Sequence, residues 1–147
     1  MSKYFYISFF ILSLSISFSQ NLKSNFKSDS TKNPKVLELI FSEIESGIKE
    51  ANVNLISKYF GQQTYFSFSN GINGYYSNNQ AFYVLEDFFK LYKVTSFRFE
   101  HIKKNKNLSY ATGKYNFDNR GQRSTAQVYI SLKKIGHNWN ITQFTIN

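Results

Sequence analysis

Few side chains of this sequence are placed for acid–base chemistry, and His101 is the strongest of them. Alternate residues of a strand share one face, so the spacing of Phe97, Phe99 and His101 predicts an imidazole beside two phenylalanine rings. An imidazole at the lip of an apolar pocket can bind a ligand or move a proton. The alternative, which we favour, is that His101 closes the end of the core with a hydrogen bond.

Tyrosines form a second group of candidates, because a phenol joins an apolar ring to a polar tip and therefore suits the mouth of a pocket. Aromatic residues make up 19% of the chain and include 16 phenylalanines. Most of these phenylalanines fall on predicted core faces, so core packing is their expected role. The tyrosines that we predict to bind a ligand are Tyr59, Tyr65, Tyr75, Tyr76 and Tyr115.

The spacing of residues supports neither a buried carboxylate base nor a metal site. Glu100 has the strand parity opposite to Phe97 and Phe99, and Asp118 lies in a predicted turn, so neither is placed as a buried base. The chain has no cysteine and two distant histidines, which give no metal-ligand spacing. We therefore predict no catalytic residue, no metal site and no cofactor.

Amphipathic helices come first along the chain. Asn33 can cap a helix that starts at Pro34, and apolar residues then recur at helical spacing as far as Ile48. A second short helix is predicted over residues 53–60. Ser77 and Gln80 have the spacing of a capping box and predict the start of a third helix. Its apolar face comprises Ala81, Phe82, Leu85, Phe88, Phe89 and Tyr92.

Strands dominate the rest of the chain. Residues 64–68 and 72–76 flank an Asn-Gly turn, and four further strands separated by turns run from Val94 to the C-terminus. Folding the turn at residues 118–121 pairs Phe117 with Gln122, and the parity of His101 predicts a bulge or an odd-length loop near residues 104–107. The predicted inward face comprises Ala111, Gly113, Tyr115, Phe117, Ala126, Val128, Ile130 and Leu132.

The N-terminus has the pattern of a secretory signal peptide, with one lysine, an apolar run and small residues before Gln20. We predict a signal peptide over residues 1–20, a disordered lead-in over 21–33 and one domain over 34–147. The protein is expected to be exported, to the periplasm or the medium, with no membrane span after cleavage because the apolar run is shorter than the ~20 residues that cross a bilayer.

Positive charge is concentrated in the C-terminal strands. From Lys90 onward there are eleven basic and two acidic residues, within a formal net charge of +9. A basic sheet can meet an anionic polymer. Lysines at hairpin tips and strand edges also serve solubility, which we favour, and no nucleic-acid partner is expected.

Several segments of the chain resemble a known family. The stretches are Ser77 to Ala81, Phe88-Phe89, Phe99 to His101, Tyr110 to Gly113 and Val128 to Lys133. They are similar to the exported bacterial family called domain of unknown function 4783. The resemblance implies an α+β cone of the nuclear transport factor 2-like, cystatin-like type, in which three helices pack on a curved mixed or antiparallel sheet with four C-terminal strands. The family provides no catalytic residue that the resemblance could assign to this sequence.

These patterns together favour a small pocket-bearing protein without catalytic activity. We expect it to bind a small apolar or amphipathic ligand or a partner protein, and a homodimer through the outer sheet face is possible. One alternative is a small lyase or isomerase that uses His101 and a pocket tyrosine. A second is a protein that binds anionic polymers through its basic sheet.

Overall fold

Three helices and one six-stranded sheet make up the part of the chain that the computed structural model describes, residues 34–147. The predicted signal peptide and lead-in lie outside the described residues. Within the described part, no helix has the length and apolar character needed to cross a bilayer. The elements are α1 (Pro34–Lys49), α2 (Val53–Ser57), β1 (Phe60–Phe68), β2 (Asn73–Ser77), α3 (Asn78–Leu91), β3 (Lys93–Lys103), β4 (Leu108–Asn119), β5 (Gln122–Ile135) and β6 (Asn138–Ile146).

The sheet has the strand order β2-β1-β6-β5-β4-β3. Strands β3 to β6 follow one another as antiparallel hairpins, as predicted, and β1 lies parallel to β6. The sheet is therefore mixed, and the three helices precede the four C-terminal strands. This confirms the predicted α+β architecture.

Helix α1 buries the apolar side that its spacing predicts and packs closely against α2. Ile44, Ile48 and Ile56 are fully buried where the two helices meet. A Cβ atom on Gly47 would lie 2.6 Å from Cγ1 of Ile56, so the glycine permits this approach. Helix α3 begins as predicted, since Oε1 of Gln80 accepts a hydrogen bond of 3.0 Å from the Ser77 backbone N–H.

The second helix is shorter than predicted, because its last residues join the sheet. Helix α2 ends at Ser57 and β1 begins at Phe60. The backbone N–H of Ile141 donates to the carbonyl oxygen of Tyr59 at 2.6 Å, and Phe60 pairs with Ile141 on β6. Pairing with a distant strand thus overrides the local helical pattern.

The β4–β5 hairpin has a tighter turn than predicted, and its register differs by two residues. Arg120 and Gly121 have φ angles of 53° and 84°, which are typical of a two-residue hairpin turn. As a result Phe117 pairs with Ser124 instead of Gln122. A shift of two residues keeps every side chain on its face, so the predicted inward positions are nevertheless confirmed as buried.

The predicted bulge lies inside β3, and it places His101 on the other face of the sheet. The β3–β4 register shifts between Phe99 and His101, so Phe99 pairs with Gly113 and His101 with Thr112. The extra residue is Glu100, and residues after a bulge exchange faces. His101 is exposed and does not share the buried face of Phe99. The predicted inward placement of His101 is therefore wrong.

Aromatic rings meet across the interior between the helices and the inner face of the sheet. The Phe88 ring of α3 lies 4.7 Å from Phe68 of β1 and 6.2 Å from Tyr115 of β4, measured between ring centroids. The Phe41 ring of α1 lies 5.7 Å from that of Phe99 in β3. Four of these five side chains are at most 4% exposed, and Phe99 is 8% exposed. The side chains of the described residues pack this interior as a core.

Candidate binding surface

The predicted ligand-binding residues do not converge on one site. Tyr115 is fully buried, and its hydroxyl donates a hydrogen bond of 2.5 Å to the carbonyl oxygen of Tyr92. Burial raises the pKa of Tyr115 well above its ordinary value of 10.0. The hydroxyl thus satisfies a backbone group at the end of α3, and Tyr115 belongs to the core.

Tyr59 takes part in a polar cluster that joins α1 to the segment between α2 and β1. Its hydroxyl donates to Oε2 of Glu43, and Nζ of Lys58 lies 2.6 Å from the same oxygen. Burial, then the hydrogen bond to Glu43, raises the pKa of Tyr59. The hydrogen bonds from Lys58 and Tyr59 lower the pKa of Glu43. This arrangement pairs a carboxylate with two donors and has a structural role.

The remaining tyrosines divide between the two faces of the sheet. Tyr76 packs on the inner side, where its ring centroid lies 5.7 Å from that of Phe66. Tyr65 and Tyr75 pair across β1 and β2 on the outer face, with ring centroids 5.1 Å apart. Of the predicted site residues, the structure brings together only Tyr65 and Tyr75 in one open surface.

Two rows of paired residues cross the whole outer face, and the first of them includes these two tyrosines. Each row takes one residue from every strand, in the order of the sheet from β2 to β3. The first row comprises Tyr75, Tyr65, Gln143, Ser131, Tyr110 and Lys103. The second row comprises Asn73, Ser67, Thr145, Tyr129, Thr112 and His101.

Charge divides this sheet into two halves. Strands β2, β1 and β6 are neighbours and contain no aspartate, glutamate, lysine, arginine or histidine. We call their outer surface the neutral half. Strands β5, β4 and β3 carry all of the sheet's basic residues and form the basic half. His101 lies in the basic half, at the edge of the sheet farthest from Tyr75.

A groove open to solvent runs from the neutral half to the start of α3 and the end of β5. One part of it, of about 530 Å³, is lined by Gln63, Tyr65, Tyr75, Thr142 and Gln143. A second part, of about 700 Å³, adjoins the first because Gln63 and Thr142 line both. Its other lining residues are Phe60, Gly61, Gln62, Asn78, Ile135 and Asn140. We call the two parts together the neutral groove.

Hydrogen bonds hold several side chains of the neutral groove in place. The Tyr65 hydroxyl donates to Oδ1 of Asn73 at 2.6 Å, which orients the ring against Tyr75. The hydroxyl oxygens of Ser131 and Thr142 lie 3.1 Å apart, and Nε2 of Gln143 donates to Oγ1 of Thr145 at 3.2 Å. These hydrogen bonds restrict the rotamers of the tyrosine and its polar neighbours.

Other amides of the neutral groove are available to a ligand. Within residues 34–147, the side chains of Gln62, Gln63 and Asn140 have no hydrogen-bond partner. Each amide offers two donor hydrogens and one acceptor oxygen. The groove can thus donate to and accept from a neutral polar ligand along its length.

Few of the described side chains are placed for acid–base or metal chemistry. No group of three histidine, cysteine, aspartate or glutamate side chains is close enough to hold a metal ion in the described part of the chain. The neutral groove holds no titratable carboxylate or imidazole. The arrangement of its residues suits binding.

Tyr65 and Tyr75 were among the residues predicted from the sequence, whereas the amides that surround them were not. A signal for them was present, because the chain carries no charged residue from Tyr59 to Leu85 or from Asn138 to Asn147. The two segments lie far apart in sequence, and only the parallel pairing of β1 with β6 unites them.

Solved structures with a similar fold define the class of this protein. Two are crystal structures of DUF4783 family proteins: one from Bacteroides uniformis (22% identity, 72% of this chain and 94% of that chain covered, TM-score 0.66) and one from Bacteroides ovatus (24%, 71%, 90% and 0.64). A Catenulispora acidiphila protein with a ketosteroid isomerase-like fold also matches (11%, 74%, 83% and 0.58). The fold is the nuclear transport factor 2-like cone.

The family assignment follows from the chain itself. The profile of the domain of unknown function DUF4783 matches residues 41–147, which is most of the chain. The protein therefore belongs to the DUF4783 family, which confirms the resemblance found in the sequence. No curated protein matches the chain.

Proposed function

We propose that this protein is an exported, non-catalytic binding protein that takes an amphipathic ligand in its neutral groove. The observation that supports this most is the contrast between a packed interior and an open, preorganised outer groove. Tyr75 is 71% exposed in that groove, although its ring is large and partly apolar. An exposed aromatic ring among hydrogen-bonding side chains is typical of binding surfaces.

Export is the part of the proposal that rests on the N-terminal pattern. The apolar run before Gln20 supports a cleaved signal peptide. N-terminal sequencing of the protein recovered from outside the cytoplasm should read from a residue near Gln20. Recovery in the cytoplasm with Met1 retained would contradict export while leaving the binding proposal intact.

The lyase or isomerase alternative loses the residue on which it depended. His101 is exposed on the outer face, and the hydroxyl of Tyr115 is engaged by a backbone carbonyl in the core. A proton-transfer site needs a titratable group within hydrogen-bond reach of a bound substrate. Neither residue meets this condition at the neutral groove, so we do not advance an enzymatic function.

A fragment screen by nuclear magnetic resonance tests the binding surface without knowledge of the ligand. The 15N-labelled protein is titrated with a mixed library of neutral, anionic, cationic and lipophilic fragments. We expect neutral hydrogen-bonding fragments to shift the amide signals of Gln63, Tyr65 and Gln143. Shifts confined to the core around Phe88, or to the basic half, would contradict the proposal, as would a complete lack of binding.

The oligomeric state provides an independent check, because a homodimer through the neutral half would cover the groove. Native mass spectrometry of the protein purified from its own host reports subunit number and bound small molecules together. We expect a neutral half that is open in solution. A dimer that Tyr75→Ala converts to monomer would show that a second copy occupies this face instead.

A further inference from the structure

We infer that the ligand of the neutral groove is an uncharged oligosaccharide. This inference rests on the proposed binding function and adds the chemical class of the ligand. It follows from the charge of the groove, from the type of hydrogen-bonding group that lines it, and from the exposed tyrosine ring at one end.

The charge of the groove argues against ionic ligands. Its lining contains no charged side chain, although β3, β4 and β5 of the same sheet carry several lysines and arginines. Removing a phosphate or carboxylate from water is costly without a cationic partner. Anions would therefore prefer the basic half, and the neutral groove selects a ligand without charge.

The hydrogen-bonding groups of the groove argue against an extended peptide. Sheets recognise peptides mainly at free edges, where unpaired backbone groups add a strand. The centre of this groove lies over β1 and β6, which are interior strands of the sheet with a neighbouring strand on each side and so present no free edge. A ligand there meets side chains such as Gln63, Thr142 and Asn140. Amides and hydroxyls that both donate and accept match the hydroxyl groups of a neutral sugar.

The exposed ring supplies the apolar contact that a sugar needs. A pyranose has a C–H face as well as hydroxyl edges, and an aromatic ring offers that face a flat apolar surface. The Tyr65 ring is fixed by its hydrogen bond to Asn73 and lies against Tyr75. The platform therefore binds at a lower entropic cost, because the Tyr65 ring is already ordered.

The shape of the groove favours a chain of sugars over a single unit. Its two parts join at Gln63 and Thr142 and extend from Tyr75 on β2 to Ile135 at the end of β5. Both parts are open to solvent, so a polymer can enter and leave along the surface. An elongated, open and uncharged groove thus fits one segment of a neutral polysaccharide.

Titrations with defined oligosaccharides test this inference on the 15N-labelled protein. The neutral probes are cellohexaose, maltohexaose and mannohexaose, the charged probe is hexagalacturonate, and an uncharged capped peptide of Gly, Ser and Asn serves as the peptide probe. We expect at least one neutral hexasaccharide to shift the amide signals of Gln63, Tyr65 and Thr142. Its affinity should exceed that of hexagalacturonate by about tenfold or more and should not depend on salt.

Matched variants identify the surface responsible. Tyr75→Ala should weaken neutral hexasaccharide binding by about tenfold, since it removes the exposed platform. Gln63→Ala, at the junction of the two parts, should also weaken it. Lys114→Gln, on the outer face of the basic half, should leave the affinity within about twofold. Unchanged circular dichroism and melting temperature would confirm that each variant is folded.

The outcomes separate this inference from the proposed function. Fragment binding in the groove without binding of any of the three neutral hexasaccharides would overturn the oligosaccharide inference and leave the binding function standing. Tighter binding of the peptide probe at the same amide signals would assign the groove to a protein partner. Lack of both fragment and oligosaccharide binding would reject both proposals.

Discussion

The inner and outer faces of one sheet carry residues of very different kinds. Each strand alternates between them, so both faces share the same backbone, twist and register. The inner face is closed by α1 and α3 and consists mainly of aliphatic and aromatic side chains, most of which are buried. The outer face presents tyrosines, amides and hydroxyls in its neutral half and basic residues in the other. The inner face supports stability, and the outer face is the more open to solvent.

Removal of one large ring from each face should give the greatest contrast in stability. Phe88 is 1% exposed and contacts rings of both helix and sheet, so Phe88→Ala should lower the free energy of unfolding by about 3–5 kcal/mol. Tyr75→Ala should change it by only about 0.5 kcal/mol. Urea unfolding followed by circular dichroism measures both values. An equal loss of unfolding free energy in the two variants would contradict the division of roles between the faces.

A comparison of two glycines tests how tightly the inner face is packed. A Cβ atom on Gly113 would lie 2.5 Å from the carbonyl oxygen of Arg98, whereas one on Gly61 would meet ordinary contacts of 3.5 Å and more. Gly113→Ala should therefore cost about 1–3 kcal/mol, and Gly61→Ala should be tolerated. Thermal unfolding of the two variants measures the difference. A neutral Gly113→Ala would show that β3 and β4 can separate freely.

Loss of one hydroxyl from each face should have a smaller effect. Tyr115→Phe leaves the Tyr92 carbonyl without its donor and should cost about 1–2 kcal/mol, whereas Tyr75→Phe should cost almost nothing. The pKa of Tyr115 is raised in the folded state. The stability that its protonated hydroxyl contributes is therefore present below pH 10.0 and is lost as pH rises above that value. Tyr115→Phe should therefore lose less stability than wild type between about pH 9 and 11. A parallel loss in both proteins would contradict this assignment.

The smallest effect is expected at the polar cluster of Glu43. Its folded pKa is lowered below the ordinary value of 4.5, first by Lys58 and then by Tyr59. The stability that it contributes is thus present above pH 4.5 and is lost as pH falls through the lowered pKa. Glu43→Gln should melt slightly earlier than wild type at neutral pH, and the gap should close in acid. Glu50 is an exposed carboxylate just after α1, so Glu50→Gln serves as the control. A difference in melting temperature between Glu43→Gln and wild type that widens in acid would contradict the assignment.

The sequence predicted the inner face well because burial imposes a periodic pattern. Positions such as Ala111, Ala126 and Ile130 alternate with polar residues, and a two-residue error in hairpin register left their face unchanged. The helix start at Ser77 was also predictable, since its cap is a local hydrogen bond. Features with a periodic or local cause could therefore be derived from the chain alone.

The outer face was harder to predict because its arrangement depends on contacts between distant segments. A bulge at Glu100 reversed the face of His101, and the residues around it carry no pattern that marks which one is extra. The parallel pairing of β1 with β6 shortened α2 and brought Gln63 beside Gln143. The neutral groove therefore forms only through tertiary structure.

Xenon binding to crystals of the protein tests most directly whether the interior is a packed core that leaves recognition to the outer face. Xenon under pressure enters apolar cavities in proteins and is located by its strong scattering. We expect no xenon between α3 and the inner face of the sheet. A well-occupied xenon atom among Phe68, Phe88 and Phe144 would reveal an internal cavity and show that the interior is not a packed core.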